Sequence, residues 1–367
     1  MKVISTGSEF EIFPDDLRCY DILPSGYYSI KFSEKKGFWL EKYPEFAITD
    51  LKIYGVHISK ADKVMTSFGI SKRNLGVILS GDKGIGKSLF ARLLGRKAVD
   101  NGIPVIIVDK YIEDIGSYID KIDQEIMVLF DEFDKTFARS GKEEDPQVTM
   151  LSLFDGISPR KKLFVVTCND LRNLNGFMVN RPGRFHYHFR FEYPGAKEIQ
   201  EYLSDVLLDA YKGEINSVIE FSNRVGLNYD CLRSIAFELN QGLSFAEAIK
   251  DINIVNVERE PYSLKILFED GTVYLNNKFY MDSFSEDEIE VELHEKRGGY
   301  AGDITFLPYK LQFDSRSGDL FVDAADADLD YETYDDDDKE KRKALRAKKI
   351  QKIIVHRVFD NRLHYAV

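Results

Sequence analysis

The run Gly81-Asp82-Lys83-Gly84-Ile85-Gly86-Lys87-Ser88 combines three glycines with a lysine and a hydroxyl. A polyphosphate carries several negative charges that water solvates well, so a protein that takes it up must offer many donors at close range. Glycine lets the backbone approach. Gly81, Gly84 and Gly86 leave N–H groups free to form an anion nest, Lys87 reaches the β- and γ-phosphates, and the Ser88 hydroxyl can ligate Mg²⁺. A helix opening at Ser88 and Leu89 adds the positive end of its dipole. The candidates for binding a nucleoside triphosphate are therefore Gly81, Asp82, Lys83, Gly84, Ile85, Gly86, Lys87, Ser88 and Leu89.

Three further segments carry complementary chemistry. The apolar run Ile126 to Phe130 ends in Asp131-Glu132-Phe133-Asp134. Asp131 is placed to hold Mg²⁺ through water, and Glu132 to orient and deprotonate an attacking water. The run Lys162 to Thr167 ends in Cys168-Asn169-Asp170, where the asparagine either closes a turn or hydrogen-bonds the γ-phosphate or the attacking water. Asn180-Arg181-Pro182-Gly183-Arg184-Phe185 sets two guanidinium groups on a short loop, and a planar, permanently charged fork suits phosphate oxygens.

These groups must meet at one end of a sheet, and the pattern around them provides one. Residues 75–80, 103–108, 126–130 and 162–167 are continuous apolar runs, as expected for strands covered on both faces. They alternate with helical segments such as 88–99, whose Leu89, Phe90, Leu93 and Leu94 recur at helical spacing. The fold class is α/β, a doubly wound parallel sheet.

At 367 residues the chain has material for two or three domains. Hydrophobic content of 44%, charged content of 31% and the presence of 26 Phe and 20 Tyr mark a soluble globular protein and exclude wholesale disorder. A net charge of −12 opposes non-specific attraction to a polyanion and leaves only a local basic groove for nucleic acid. Cys19, Cys168 and Cys231 are odd in number, widely spaced and without metal-ligand pattern, which reads as reduced, buried thiols and a cytoplasmic setting. No apolar run approaches membrane-spanning length, and Met1 to Ser5 shows no signal-peptide core, so neither membrane insertion nor secretion is expected.

Together the residues resemble the AAA+ ATPases, and within them the AAA clade, over about residues 50–245. GDKGIGKS is similar to the Walker A motif, LFDEFD to Walker B, TCND to the sensor 1 segment with Asn169 as sensor, and RPGRF to the segment carrying arginine fingers. The resemblance implies a P-loop core with a small α-helical lid, ATP and Mg²⁺ as cofactors, and a ring, expected as a homohexamer. It assigns Glu132, Lys87, Asn169, Arg181 and Arg184 to catalysis, the arginines acting in trans. Ser88 and Asp131 become metal ligands, and Ile53, Tyr54 and Gly55 line the adenine pocket. Arg233 is either a sensor 2 residue or part of a solvated helix face. Tyr111, in Lys110-Tyr111-Ile112, resembles the aromatic pore loop, but Glu113 stands where the family has glycine; a packing tyrosine is the alternative.

The expected domains are an N-terminal β-rich element (1–45), the nucleotide-binding domain (46–192), the lid (193–252) and a C-terminal β-rich domain (253–367) with a charged insertion at 323–352. Trp39, in the first of these, is read as core, with a partner anchor as the alternative. Asp323 to Asp338 holds nine Asp or Glu and no base, and Lys339 to Lys352 eight Lys or Arg and one Glu. The acidic block reads as a linker or loop. The basic block is either a solvated helix or a nucleic-acid contact. Three hairpins are expected: one in the N-terminal element pairing Tyr27 to Phe32 with Phe38 to Tyr43, one turning at Asp270-Gly271 and one joining Ile353 to Val358 with Leu363 to Val367.

The function expected is Mg-ATP hydrolysis by a ring that remodels a macromolecular partner, protein favoured over nucleic acid. The alternatives are an ATPase of DNA transactions (loader, replication or packaging accessory) and a slow-turnover nucleotide switch. The small size and unfamiliar β modules suit a bacterial-virus protein acting in the host cytoplasm.

Overall fold

The computed structural model describes residues 2–13, 18–44, 57–138, 145–155, 160–179, 181–254, 260–314, 317, 319–331 and 336–358. Ile53, Tyr54 and Gly55, and the strand expected at 363–367, lie outside these. The chain divides into two compact units, Met1–Tyr193 and Pro194–Val367.

The first unit begins with a two-stranded hairpin, β1 (Lys2–Thr6) and β2 (Glu9–Phe13). There follow β3 (Tyr27–Ser33), β4 (Gly37–Lys42), α1 (His57–Ile70), β5 (Leu75–Ser80), α2 (Lys87–Asp100), β6 (Val105–Val108), α3 (Ile115–Asp120) and β7 (Ile126–Phe130). The unit ends with α4 (Phe133–Thr136), α5 (Pro146–Thr149), α6 (Leu151–Asp155), β8 (Lys162–Cys168), α7 (Gly176–Val179) and β9 (Tyr187–Arg190). Seven strands form one sheet in the order β4-β3-β6-β7-β8-β5-β9. All of its pairings are parallel except that of edge strand β4 with β3.

The apolar runs are strands for the reason their composition suggests: every residue of β5, β6, β7 and β8 is buried. Alternate side chains feed two cores. Val77, Leu79 and Val165 meet Ala61, Val64 and Phe68 of α1 and Phe90 and Leu94 of α2. Ile78, Val128 and Val166 face Ile119, Phe133, Phe154 and Met178 on the other side. The result is a helix–sheet–helix sandwich. Helix α1 ends where Lys161 Nζ donates to the carbonyls of Phe68 (2.7 Å) and Ser71 (3.2 Å), satisfying acceptors that a helix C-terminus leaves open.

The β3–β4 hairpin, expected in an N-terminal element of its own, extends this central sheet. Tyr27 to Ser29 run parallel to Val105 to Ile107 of β6, and Tyr27 and Ile30 are buried in its cores. Trp39 is half-buried on β4, with Lys36 Nζ 4.7 Å from its ring. The cysteines are free; Cys168 is buried, but Cys19 is exposed, correcting the expectation for that residue, because it lies in the irregular segment before β3.

The second unit opens with α8 (Ala196–Val206), α9 (Ile215–Ser222), α10 (Tyr229–Asn240) and α11 (Phe245–Asp251). Asn228 caps α10, and Ser244 with Glu247 forms a capping box on α11. The strands β10 (Glu260–Phe268), β11 (Val273–Met281), β12 (Ile289–Glu295), β13 (Tyr300–Phe306), β14 (Gln312–Asp314), β15 (Asp319–Val322), β16 (Ala327–Asp330) and β17 (Ile350–Arg357) follow, with α12 (Asp336–Arg346) between the last two. They form an antiparallel sheet ordered β14-β15-β17-β10-β11-β12-β13-β16. Period-two burial of Tyr262, Leu264, Ile266 and Phe268 in β10 marks its packed face. The turn at Asp270-Gly271 joins β10 to β11, with Gly271 at φ 81°. Strand β17 pairs with β10 and β15.

Part of the acidic tract, read as linker or loop, is strand. β16 pairs with β13, and Leu329 is buried with Ala327 packed beside it, because these two apolar residues on the inward face anchor an otherwise charged strand. The basic block forms α12 and the start of β17, and its charges are held internally. Arg342 makes a bidentate pair with Asp330, which Arg346 Nη2 also approaches at 3.3 Å. Lys348 Nζ meets Asp270 at 2.5 Å, and Lys352 Nζ meets Asp314 at 3.5 Å.

Candidate functional site

The C-terminal ends of β5, β7 and β8 bring the predicted groups together. Beyond β5 the chain turns through Gly81 (φ 137°), Gly84 (φ 75°) and Gly86 (φ 100°) before α2 begins at Lys87. These angles fall where a side chain is strained. At Gly81 space forbids one as well, since a Cβ would run into the Phe191 carbonyl and Ile85. Ile85 is buried and pins the loop from within, whereas Asp82, Lys83 and Ser88 are exposed.

Lys87 is buried, and its ammonium lies among oxygens. Nζ donates to the carbonyls of Gly81 (2.5 Å) and Asp82 (2.6 Å) and to Asn169 Oδ1 (3.0 Å). Burial lowers its pKa below the usual lysine value, while Cys168, Asp82, Asp134 and Asp131 pull the other way. Cys168 itself is inert as a nucleophile, its thiol pushed up to about 12 by burial. The side-chain oxygen of Asn169 thus touches the P-loop lysine at the end of β8.

Asp131 and Glu132 follow β7 directly. Asp131 Oδ1 accepts from Thr167 Oγ1 at 2.7 Å, and the same hydroxyl accepts the Glu132 N–H at 2.8 Å. Glu132 sits at φ 47°, ψ 47°, the left-handed region. Its exposed carboxylate takes a hydrogen bond from Lys135 Nζ at 2.7 Å, which holds its pKa below the ordinary glutamate value. Asp134, buried, accepts the N–H groups of Asn169 (3.0 Å) and Asp170 (3.3 Å) through Oδ2, while its Oδ1 has no hydrogen-bond partner.

This donor set fits Mg²⁺ with a triphosphate. Ser88 offers a hydroxyl and Asp131 a carboxylate, both hard oxygen ligands. The glycine cradle and a buried lysine supply the anion site, and the orphaned Asp134 oxygen adds negative potential beside it.

The two arginines of the loop after α7 have different surroundings. Arg184 is buried: Nε and Nη2 clasp Asp155 at 2.5 and 2.6 Å, and Nη1 donates to the Phe177 carbonyl at 2.8 Å. Arg181 is exposed and lies 3.7 Å from Asp155 Oδ1. Arg233, on α10 of the second unit, is exposed and 3.5 Å from Asp230. Tyr111 packs edge-on against Phe137, with ring centroids 5.4 Å apart, among the residues around Phe130. That is the packing alternative for this tyrosine.

Three contributors went unassigned in the sequence: Thr167, Asp134 and His57. Thr167 had a signal, a lone hydroxyl residue in an apolar strand one register step beyond the Phe130–Val166 pair. Asp134 stands in the Asp131-Glu132-Phe133-Asp134 segment, but its partners are backbone groups just beyond the end of β8. His57 opens α1, stacks on Phe191 at 5.0 Å and has an unpartnered, buried Nδ1. Nothing local to it points at the P-loop.

Comparison with known proteins agrees with this geometry. Residues 77–193 match the AAA family, the ATPase family associated with various cellular activities. An ATPase family AAA domain-containing protein of Arabidopsis thaliana is 28% identical over 147 residues, covering 35% of this chain and 12% of that protein. The chain therefore spans a small part of that relative's length. Residues 77–193, the stretch that holds the P-loop, Asp131, Glu132, Asn169 and the arginine loop, form a domain that matches the AAA ATPase family.

Proposed function

We propose that the protein hydrolyses Mg-ATP and uses the cycle, as a ring of identical subunits, to remodel a protein partner. The observation that carries the first part is the meeting of Lys87 with Asn169 Oδ1 beside Asp131 and Glu132, both held by Thr167. Lys87 and the P-loop N–H groups bind and orient the phosphates. Glu132 takes the proton of the attacking water, and Asn169 orients that water against the γ-phosphate. Ser88 and Asp131 would hold Mg²⁺, which would supply positive charge to offset the negative charge that develops in transfer.

The ring reading rests on Arg181, which is exposed on a loop braced by the ion pair of the buried Arg184 with Asp155. Arg181 is the finger for a neighbour's nucleotide, and Arg184 holds its loop in shape. A protein partner is favoured because the net charge is −12 and the basic residues of α12 and β17 already pair with Asp330, Asp270 and Asp314. A second reading, a slow-turnover switch, draws on the Lys135–Glu132 pair, which occupies the base.

The test is ATP turnover and nucleotide binding by the wild type and Glu132→Gln, each alone and with unfolded protein, single-stranded DNA or duplex DNA. Turnover by the wild type, with binding but no turnover by Glu132→Gln, upholds hydrolysis, and the stimulating polymer identifies the substrate class. Tight binding without turnover in both transfers the assignment to the switch.

A further inference from the structure

Among the described residues, the Thr167 side chain bonds to both acidic residues at the end of β7. It is 1% exposed, in the penultimate position of β8. An ionised carboxylate can only accept hydrogen bonds, and a hydroxyl has a single proton. The 2.7 Å contact therefore fixes that proton on the side of Asp131 Oδ1, and the oxygen lone pairs are left to accept the Glu132 N–H at 2.8 Å. The β-branched side chain has few rotamers, so the hydroxyl is held in place by its own methyl.

The two contacts have separate effects. The first engages one oxygen of Asp131 and fixes the plane of the carboxylate. The second ties down the N–H of a residue whose backbone is left-handed, at φ 47° and ψ 47°, a conformation that an unbranched non-glycine residue holds only when its surroundings impose it. One hydroxyl thus sets both the direction of the carboxylate and the exit of Glu132 from the strand.

We infer that Thr167 is a positioning residue that couples the Mg²⁺-facing carboxylate of Asp131 to the general base Glu132. The inference rests on the hydrolytic reading given above. It predicts that metal affinity and chemical rate fall together when the hydroxyl is removed, with little change in nucleotide affinity at saturating metal.

The experiment compares wild type, Thr167→Val and Thr167→Ser. Valine is nearly isosteric and lacks the hydroxyl; serine keeps it and loses the methyl. Each protein is titrated with Mg²⁺ while binding of a fluorescent ATP analogue is followed, then assayed for kcat and KM, and unfolded in urea. Removing a group that orients a metal ligand costs on the order of 10- to 100-fold in metal affinity or activity. Thr167→Val is expected to raise the half-saturating Mg²⁺ concentration and lower kcat by about this factor, with KM changed less than about threefold. Thr167→Ser is expected to recover most of both. The inference is overturned if Thr167→Val keeps the wild-type Mg²⁺ dependence, or if Thr167→Ser loses as much as Thr167→Val, which would mark a packing role. The Mg²⁺ titration of binding needs no turnover, so a wild type that binds but does not hydrolyse refutes the hydrolytic reading and still tests Thr167. A wild type without Mg²⁺-dependent nucleotide binding refutes both.

Discussion

The parallel sheet of the first unit and the antiparallel sheet of the second make opposite use of their polar groups. At the end of the parallel sheet, Lys87, Asp131, Glu132, Asp134 and Asn169 crowd together, one of them with an unsatisfied oxygen and one lysine depressed by burial. In the antiparallel sheet the charges are matched: Asp330 with Arg342 and Arg346, Asp270 with Lys348. The first arrangement is tense and suited to receiving a charged ligand; the second holds a helix against a sheet. Clusters that function rather than stabilise are where perturbed groups gather.

The largest effect that would sharpen this contrast comes from Lys87→Met. ATP turnover should fall by about 10³-fold or more, since the phosphate clamp is lost, while the urea midpoint stays equal or rises because a buried charge is gone. A marked loss of stability would show that Lys87 holds the fold and would break the comparison.

Next, Arg181→Ala and Arg184→Ala should separate. Breaking a buried pair from one side costs about 3–5 kcal/mol, and the partial exposure of Asp155 reduces this to roughly 2 kcal/mol for Arg184→Ala. Arg181→Ala should change stability by less than about 0.5 kcal/mol yet lower turnover by about 10³-fold. Denaturation and turnover measured on the same samples check both.

Gly302→Ala probes the second unit. Gly302 lies at φ 127°, and a Cβ would meet the Asp330 carbonyl and Leu345 of α12. The expected loss is about 2 kcal/mol from backbone strain and a displaced helix, with turnover per folded molecule unchanged.

The smallest effect is electrostatic. The hydrogen bond from Arg342 holds the Asp330 carboxyl below the ordinary carboxylate range. Its stabilisation is fully present above about pH 4, where the unfolded carboxyl is also ionised, and is lost as pH falls through the lower folded value. Asp330→Asn should flatten the acid limb of the second unit's stability curve and leave the neutral value within about 1 kcal/mol.

Much of the site was legible because its signals are local. Fixed spacing within Gly81 to Ser88 specifies the loop, and Asp131 and Glu132 follow an unmistakable buried strand. What stayed hidden depends on distant partners. Arg181 and Arg184 are the same residue type three positions apart, and only the folding of Asp155 beneath the loop distinguishes them. Strands β3 and β4 read as a self-contained hairpin because nothing near Tyr27 announces its pairing with Val105. In the acidic tract, charge masked a period-two pattern in which Ala327 and Leu329 turn inward.

The left-handed backbone of Glu132 carries one more consequence. Glycine would adopt those angles without strain, so Glu132→Gly should leave a fold as sturdy as the natural one, or sturdier, while abolishing the base. Selection acting on durability alone would not keep a glutamate there. Under the hydrolytic reading proposed above, directed evolution for heat resistance without an activity screen should therefore erode this position early.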